Sequence, residues 1–347
     1  MILYISKFLT LHDKLNILQL DKQCYNHGIY MFHDDVIDIK NCPREWIQKY
    51  KPSLKIYSIN DFNYSNISEC NLLNQNLSSL PESIGNLTRL EKLHLNHNQL
   101  TRLPESIGNL LQLQVLELYA NRLIHLPESI GNLSQLQTLN TSNNQLTLLP
   151  DSFENLSQLQ SLDTSFTRLT HLPESIGNLT RLEKLNTNKN QLTHLPDSIG
   201  NLSQLQSLDI SFNRLTHLPE PIGNLTRLEK LNTNNNQLTF LSESIGNLTR
   251  LEKLNLDSNQ LTRLPESIGN LTRLKKLNIS NNQLTFLPDS IKNLIQLQFL
   301  YIHDNQLTCI PDSIENLSQL QILYIDNNLL THLPDSIGNL LQLQIYR

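Results

Sequence analysis

"LPESIGNLTRLEKLHLNHNQLTR" spans Leu80 to Arg102, and at Leu103-Pro104-Glu105-Ser106-Ile107-Gly108-Asn109-Leu110 its opening begins again. The same eight residues stand at Leu126, Leu172 and Leu264, with near variants opening at 149, 195, 218, 241, 287, 310 and 333. Every start falls 23 residues after the last, so twelve units run from Leu80 to Arg347, the final one incomplete. Self-similarity at a period of this length marks a solenoid, in which units stack because none can bury its own apolar edge alone.

Each position in a unit has a physical reading. Leu93 and Leu95 alternate with polar neighbours, so a short strand points them inward and turns residues 92 and 94 to solvent. Pro104 opens the next segment, where its missing N–H costs nothing, and Glu105 suits the positive start of a helical turn. Ile107 and Leu110 return to the core, and Gly108 is expected to permit a tight exit. Departures mark weak points. Thr141, Thr164, Thr187 and Thr233 take an inward leucine place, Thr167 replaces a recurrent asparagine and Ser242 replaces the proline. Residues 136–195 are therefore expected to be the softest part of the stack.

The pattern Leu90-x-x-Leu93-x-Leu95-x-x-Asn98-x-Leu100 resembles the leucine-rich repeat. That resemblance implies an α/β solenoid, a horseshoe with a parallel concave β-sheet, in which Asn98 and its equivalents are buried and bond neighbouring backbone groups as a ladder. At about 4.8 Å per strand, eleven full strands give a concave face of roughly 50 Å. Residues 67–77, with Cys70, Leu72, Gln75 and Leu77 in the key places, read as a worn capping unit. The expected domains are a helical head (1–45), a linker helix with Trp46 plus the capping unit (46–79), and the repeats (80–347).

The head has a different pattern. Ile5, Phe8 and Leu9 fit one helix face, and Asp13 can cap a second helix carrying Leu15 and Leu18. With the turn Leu9-Thr10-Leu11-His12-Asp13 and the close Lys22-Gln23-Cys24-Tyr25, this head (1–45) resembles an F-box. The resemblance implies a substrate adaptor: Ile5, Phe8, Leu9, Leu11, Leu15 and Leu18 dock a Skp-type adaptor of a cullin–RING ubiquitin ligase, and the sheet recruits the target. A second reading makes the head a plain cap. The repeats then serve an intracellular scaffold or signalling regulator, since their Leu-Pro-x-Ser-Ile-x-Asn-Leu style also resembles proteins that bind Ras-type GTPases.

Composition excludes several classes. Lys and Arg number 27 against 32 Asp and Glu, a net charge of −5, which gives no footprint for nucleic acid. No apolar run approaches the roughly 18 residues a membrane span needs. The first dozen residues lack the basic start and small-residue cleavage site of a signal peptide. Cysteines at 24, 42, 70 and 309 are too scattered for a disulfide framework or zinc site. These features point to the cytoplasm, where the Asn-x-Ser/Thr triplets such as Asn86-Leu87-Thr88 are structural. No phosphate loop, metalloprotease or hydrolase motif is present, so no enzyme, metal or cofactor is expected. Partners are expected to be proteins, held on the concave face. There the lysine stripe Lys230, Lys253 and Lys276 is followed by an aromatic patch of Phe299, Tyr301, Ile322 and Tyr324, rimmed by His303, Asp304 and Asp326.

Overall fold

A computed structural model describes residues 68–347. The head, the linker helix and the six F-box-like positions lie outside the described residues. The chain divides into two compact units, Met1–Ser161 and Leu162–Arg347. The described part of the first holds β1 (Glu69–Asn71), β2 (Lys92–His94), β3 (Val115–Glu117) and β4 (Thr138–Asn140), and β5 (Ser161–Asp163) begins at its last residue. The second holds β6 (Lys184–Asn186), β7 (Ser207–Asp209), β8 (Lys230–Asn232), β9 (Lys253–Asn255), β10 (Lys276–Asn278), β11 (Phe299–Tyr301), β12 (Ile322–Tyr324) and β13 (Gln344–Tyr346). Strands β1 to β4 pair in parallel in chain order. So do β6 to β13.

The alternation read from the sequence is the packing that forms. Leu93, Leu116, Leu254 and Leu277, the middle residues of their strands, are fully buried, and Cys70 takes that place in β1. The residues on either side face solvent. Each unit then enters a five-residue 3₁₀ turn, such as Glu105–Asn109, behind a proline whose φ of −72° is already set for the approach. Where Ser242 replaces that proline, its hydroxyl accepts the Ser244 N–H at 3.0 Å, a side-chain cap in exchange for a fixed φ.

The asparagine expectation holds. Asn121 Nδ2 donates to the carbonyl of Leu95, 26 residues back, and to that of Leu118, both at 2.9 Å. Its Oδ1 accepts the N–H of Leu100, 21 residues back, at 3.0 Å. The residue just ahead of each such asparagine, and of Thr167, sits in the left-handed region, with φ between 51° and 55° from His97 through Asn327. That position is occupied by Asn, Asp and Ser, but also by Ala120, Phe166, Lys189 and Phe212. Backbone bonds to the next repeat hold it there, as from Phe212 N–H to Asn234 O at 2.8 Å, against a cost of about 1–2 kcal/mol for a side chain in this region.

Three expectations are corrected. The glycine of the turn is not needed for a tight exit: no glycine among the described residues has a φ in the left-handed region. A Cβ on Gly108 would instead lie 2.5 Å from the Ser129 carbonyl oxygen, so glycine is required by the neighbouring turn's approach. The incomplete last unit also forms a strand, β13, beyond the eleven full strands expected of the repeats. Its register slips by one residue from the repeat, pairing Gln344 with Ile322, Ile345 with Leu323 and Tyr346 with Tyr324. A one-residue slip exchanges the faces of a strand. Keeping the 23-residue spacing would have turned Tyr346 into a leucine-sized place and Ile345 outward.

The third correction concerns the inward threonines, which are not alike. Thr233 Oγ1 donates to Asn255 O at 3.2 Å, and Thr141 also has a partner. Thr164 and Thr187 are fully buried, and neither hydroxyl has one. A buried hydroxyl without a partner costs roughly 1–3 kcal/mol. Thr164→Val and Thr187→Val should therefore each raise stability by about 1 kcal/mol in urea denaturation. Thr233→Val should not, and equal gains at all three positions would contradict this assignment.

Candidate functional site

The sheet presents its outward face through the first and third residues of each strand. In the second unit, Lys230, Lys253 and Lys276 occupy the first place of β8, β9 and β10, in register. Phe299 and Ile322 follow in that column, and Tyr301 and Tyr324 pair in the column beside it. All four residues of the patch are half-buried, so the structure brings together what the sequence placed one repeat apart.

The geometry is a stack. Tyr301 and Tyr324 lie with ring centroids 5.2 Å apart and planes 15° from parallel. Tyr346, which the sequence reading did not include, continues the stack at 4.3 Å and 7° from Tyr324. The strand slip puts it there, and no spacing rule predicts a slip. At the other end, Lys276 Nζ lies 5.0 Å from the Tyr301 ring centre, within the range of a cation–π contact. Partial burial, and then the neighbouring Tyr324, raise the Tyr301 phenol above its ordinary value, so Tyr301 is a neutral donor at physiological pH. Along the rim His303 packs edge-on to Tyr324 at 6.1 Å, and its Nε2 lies 3.9 Å from Asp304 Oδ2. Asp304 Oδ1 accepts from Asn327 Nδ2 at 2.8 Å, while Asp326 Oδ2 is 3.5 Å from the same nitrogen. Of the three rim residues, His303 touches the stack directly, and the two aspartates adjoin it through His303 and Asn327.

A second exposed aromatic feature escaped the sequence reading. Phe166 and Phe212 flank Lys189, whose Nζ lies 4.3 Å and 5.3 Å from their ring centres. All three sit at the left-handed position of their turns, a place where side chains project outward whatever their chemistry. The evenly spaced histidines do not make a metal stripe. His171, His194 and His217 each pair through Nδ1 with the preceding threonine hydroxyl at 3.1 Å. No group of three or more His, Cys, Asp or Glu among the described residues could hold a metal. No helix among them is long and apolar enough to cross a membrane.

Known proteins agree with this architecture. The family model of a leucine-rich repeat region matches residues 105–192, 185–283 and 262–346, and that of a single leucine-rich repeat matches 89–110. No curated protein matches the chain. Among solved structures, a Leptospira interrogans LRR protein is 32% identical with a TM-score of 0.56, the match covering 80% of this chain and 83% of that one. The plant peptide hormone receptor RGFR1, solved in complex with RGF2, is 29% identical with a TM-score of 0.64, covering 80% and 55%. An internalin from Listeria monocytogenes is 24% identical with a TM-score of 0.62 over 87% and 94%, a likeness of fold. Such a fold is typically a non-catalytic binding scaffold. With its 23-residue period, its buried asparagine ladder and a family match across most of its length, the chain belongs to the leucine-rich repeat family.

Proposed function

We propose that the chain is a protein-recognition scaffold without catalytic chemistry of its own, and that it takes its partner on the outward sheet face of the second unit. The observation that carries this reading is the aromatic stack of Tyr301, Tyr324 and Tyr346 beside Phe299 and Ile322. Elsewhere in these columns the second unit shows Lys, Ser, Asn, Asp and Gln. A compact apolar, tyrosine-rich centre with a polar rim is where binding energy concentrates in protein interfaces. The plant receptor solved with RGF2 supports a protein or peptide ligand for a scaffold of this kind. Docking of a Skp-type adaptor by the head is a separate proposal that rests on the sequence of residues 1–45.

The test compares full-length wild type with Tyr301→Ala/Tyr324→Ala in affinity purification, followed by a dissociation constant for the partner identified. Loss of about 2 kcal/mol or more, roughly a thirtyfold weakening, is expected for two central anchors. An unchanged thermal midpoint confirms that the fold is intact. Unchanged binding by that folded variant would place recognition elsewhere.

A further inference from the structure

We infer that the partner of this face is an acidic polypeptide segment with an aromatic or large aliphatic anchor. Its carboxylates lie against Lys230, Lys253 and Lys276, and its anchor against Phe299, Tyr301, Ile322 and Tyr324. This deepens the reading above and rests on it.

The sign of the partner's charge follows from which charged groups on the face already have a partner. Residues 227–230, 250–253 and 273–276 read Arg-Leu-Glu-Lys, Arg-Leu-Glu-Lys and Arg-Leu-Lys-Lys, seven cations against two carboxylates. One of those two, Glu252, is engaged by Lys275 at 2.8 Å, and that bond holds its carboxyl below the ordinary value. Lys230, Lys253 and Lys276 are exposed, and none forms a salt bridge among the described residues. Across the same strands the carboxylates are satisfied within the sheet. Asp257 accepts from the Ser280 and Ser258 hydroxyls and from Asn281 Nδ2 at 2.9–3.0 Å, and Asp209 accepts from Ser211 and Asn232. On balance, what remains without a charged partner among the described residues is positive: Lys230, Lys253 and Lys276 against Glu229. Three like charges in register repel one another, and a line of carboxylates relieves that repulsion.

The two halves of the site are continuous. Lys276 pairs in register with Phe299 and stands over Tyr301, so the last cation of the stripe borders the first ring of the patch. From Lys230 to Tyr324 is four strand spacings, about 19 Å, a distance that some six extended residues cover. Cations beside tyrosines could also suit single-stranded nucleic acid, which stacks its bases on exposed ring faces. Here the facing sides of Tyr301, Tyr324 and Tyr346 are filled by one another, and Asp304 and Asp326 stand at the rim. Apart from the outer face of Tyr346, edges and hydroxyls are what the stack offers, which favours a peptide over a run of stacked bases.

The experiment selects a random dodecapeptide library on the full-length protein and measures the best synthetic peptide at low and physiological salt. Single-stranded oligothymidylate is measured in the same assay. The selected peptides should share clustered Asp or Glu and an aromatic or leucine anchor. Lys230→Gln/Lys253→Gln/Lys276→Gln should weaken the peptide at least about tenfold at low salt and flatten its salt dependence. Peptides lost by Tyr301→Ala/Tyr324→Ala but carrying no acidic residues would overturn this inference while leaving the patch as the site. Peptides indifferent to the tyrosine variant would overturn both. Failure to select any peptide, or tighter binding of the oligothymidylate, would overturn the peptide assignment.

Discussion

Asn236→Ala should destabilise the protein by roughly 3 kcal/mol or more, because three buried hydrogen-bonding groups each lose their partner. Asn236 Nδ2 donates to the carbonyls of Ile210 and Thr233 at 3.0 Å, and its Oδ1 accepts the N–H of Leu215 at 3.0 Å. Alanine supplies none of these bonds, and Leu215 and Ile210 are too deeply buried for water to replace them. Repeat arrays lose cooperativity when one unit fails, so amide exchange should accelerate first between residues 205 and 240. Asn236→Asp keeps the acceptor but sets a buried carboxylate oxygen against the Ile210 and Thr233 carbonyls, and should cost at least as much as alanine at neutral pH. A loss below about 1 kcal/mol would mean that water enters the ladder.

The second large effect is steric. Gly269→Val should cost about 3 kcal/mol or more, because a Cβ there would lie 2.5 Å from the Ser290 carbonyl oxygen and 2.7 Å from its Cβ. Backbone oxygen cannot step aside as a flexible side-chain end can. Gly338→Val is the control: nothing lies within 4 Å of its would-be Cβ, so its effect should stay within about 0.5 kcal/mol. Lys292 and Glu315 already occupy this turn position in neighbouring units, so some turns do stand further apart. If Gly269→Val is tolerated as Lys292 is, the spacing at Gly269 is softer than its contacts imply. Urea midpoints of the two variants decide the matter.

Periodicity made most of the architecture legible. Alternation at Leu93 and Leu95 gave the strand and its inward face, and Pro104 gave the start of the turn. The register of Lys276 with Phe299, and of Tyr301 with Tyr324, followed from counting by 23. Counting failed where local energetics chose between residues. In β13 the choice between burying Ile345 or Tyr346 moved the strand by one place and lengthened the aromatic stack. The left-handed turn residue was hidden because phenylalanine and lysine occupy it as well as asparagine, and their side chains carry no signature of φ. The glycine was legible as necessary but not for the right reason, since its constraint comes from a turn 23 residues away. Thr164 and Thr187 looked like Thr233 until their hydroxyl partners were known.

The ladder bonds of Asn121 reach back 21 and 26 residues and no further. A gene that loses or gains one whole period therefore rejoins every donor to an acceptor of the same kind, because the incoming neighbour is a near copy of the one removed. A deletion of any other length misaligns a strand and strands its asparagine. Chain length is thereby free to drift by unequal crossing-over, but only in steps of one turn of the coil. Each step lengthens or shortens the binding face by about 4.8 Å and leaves its chemistry elsewhere untouched.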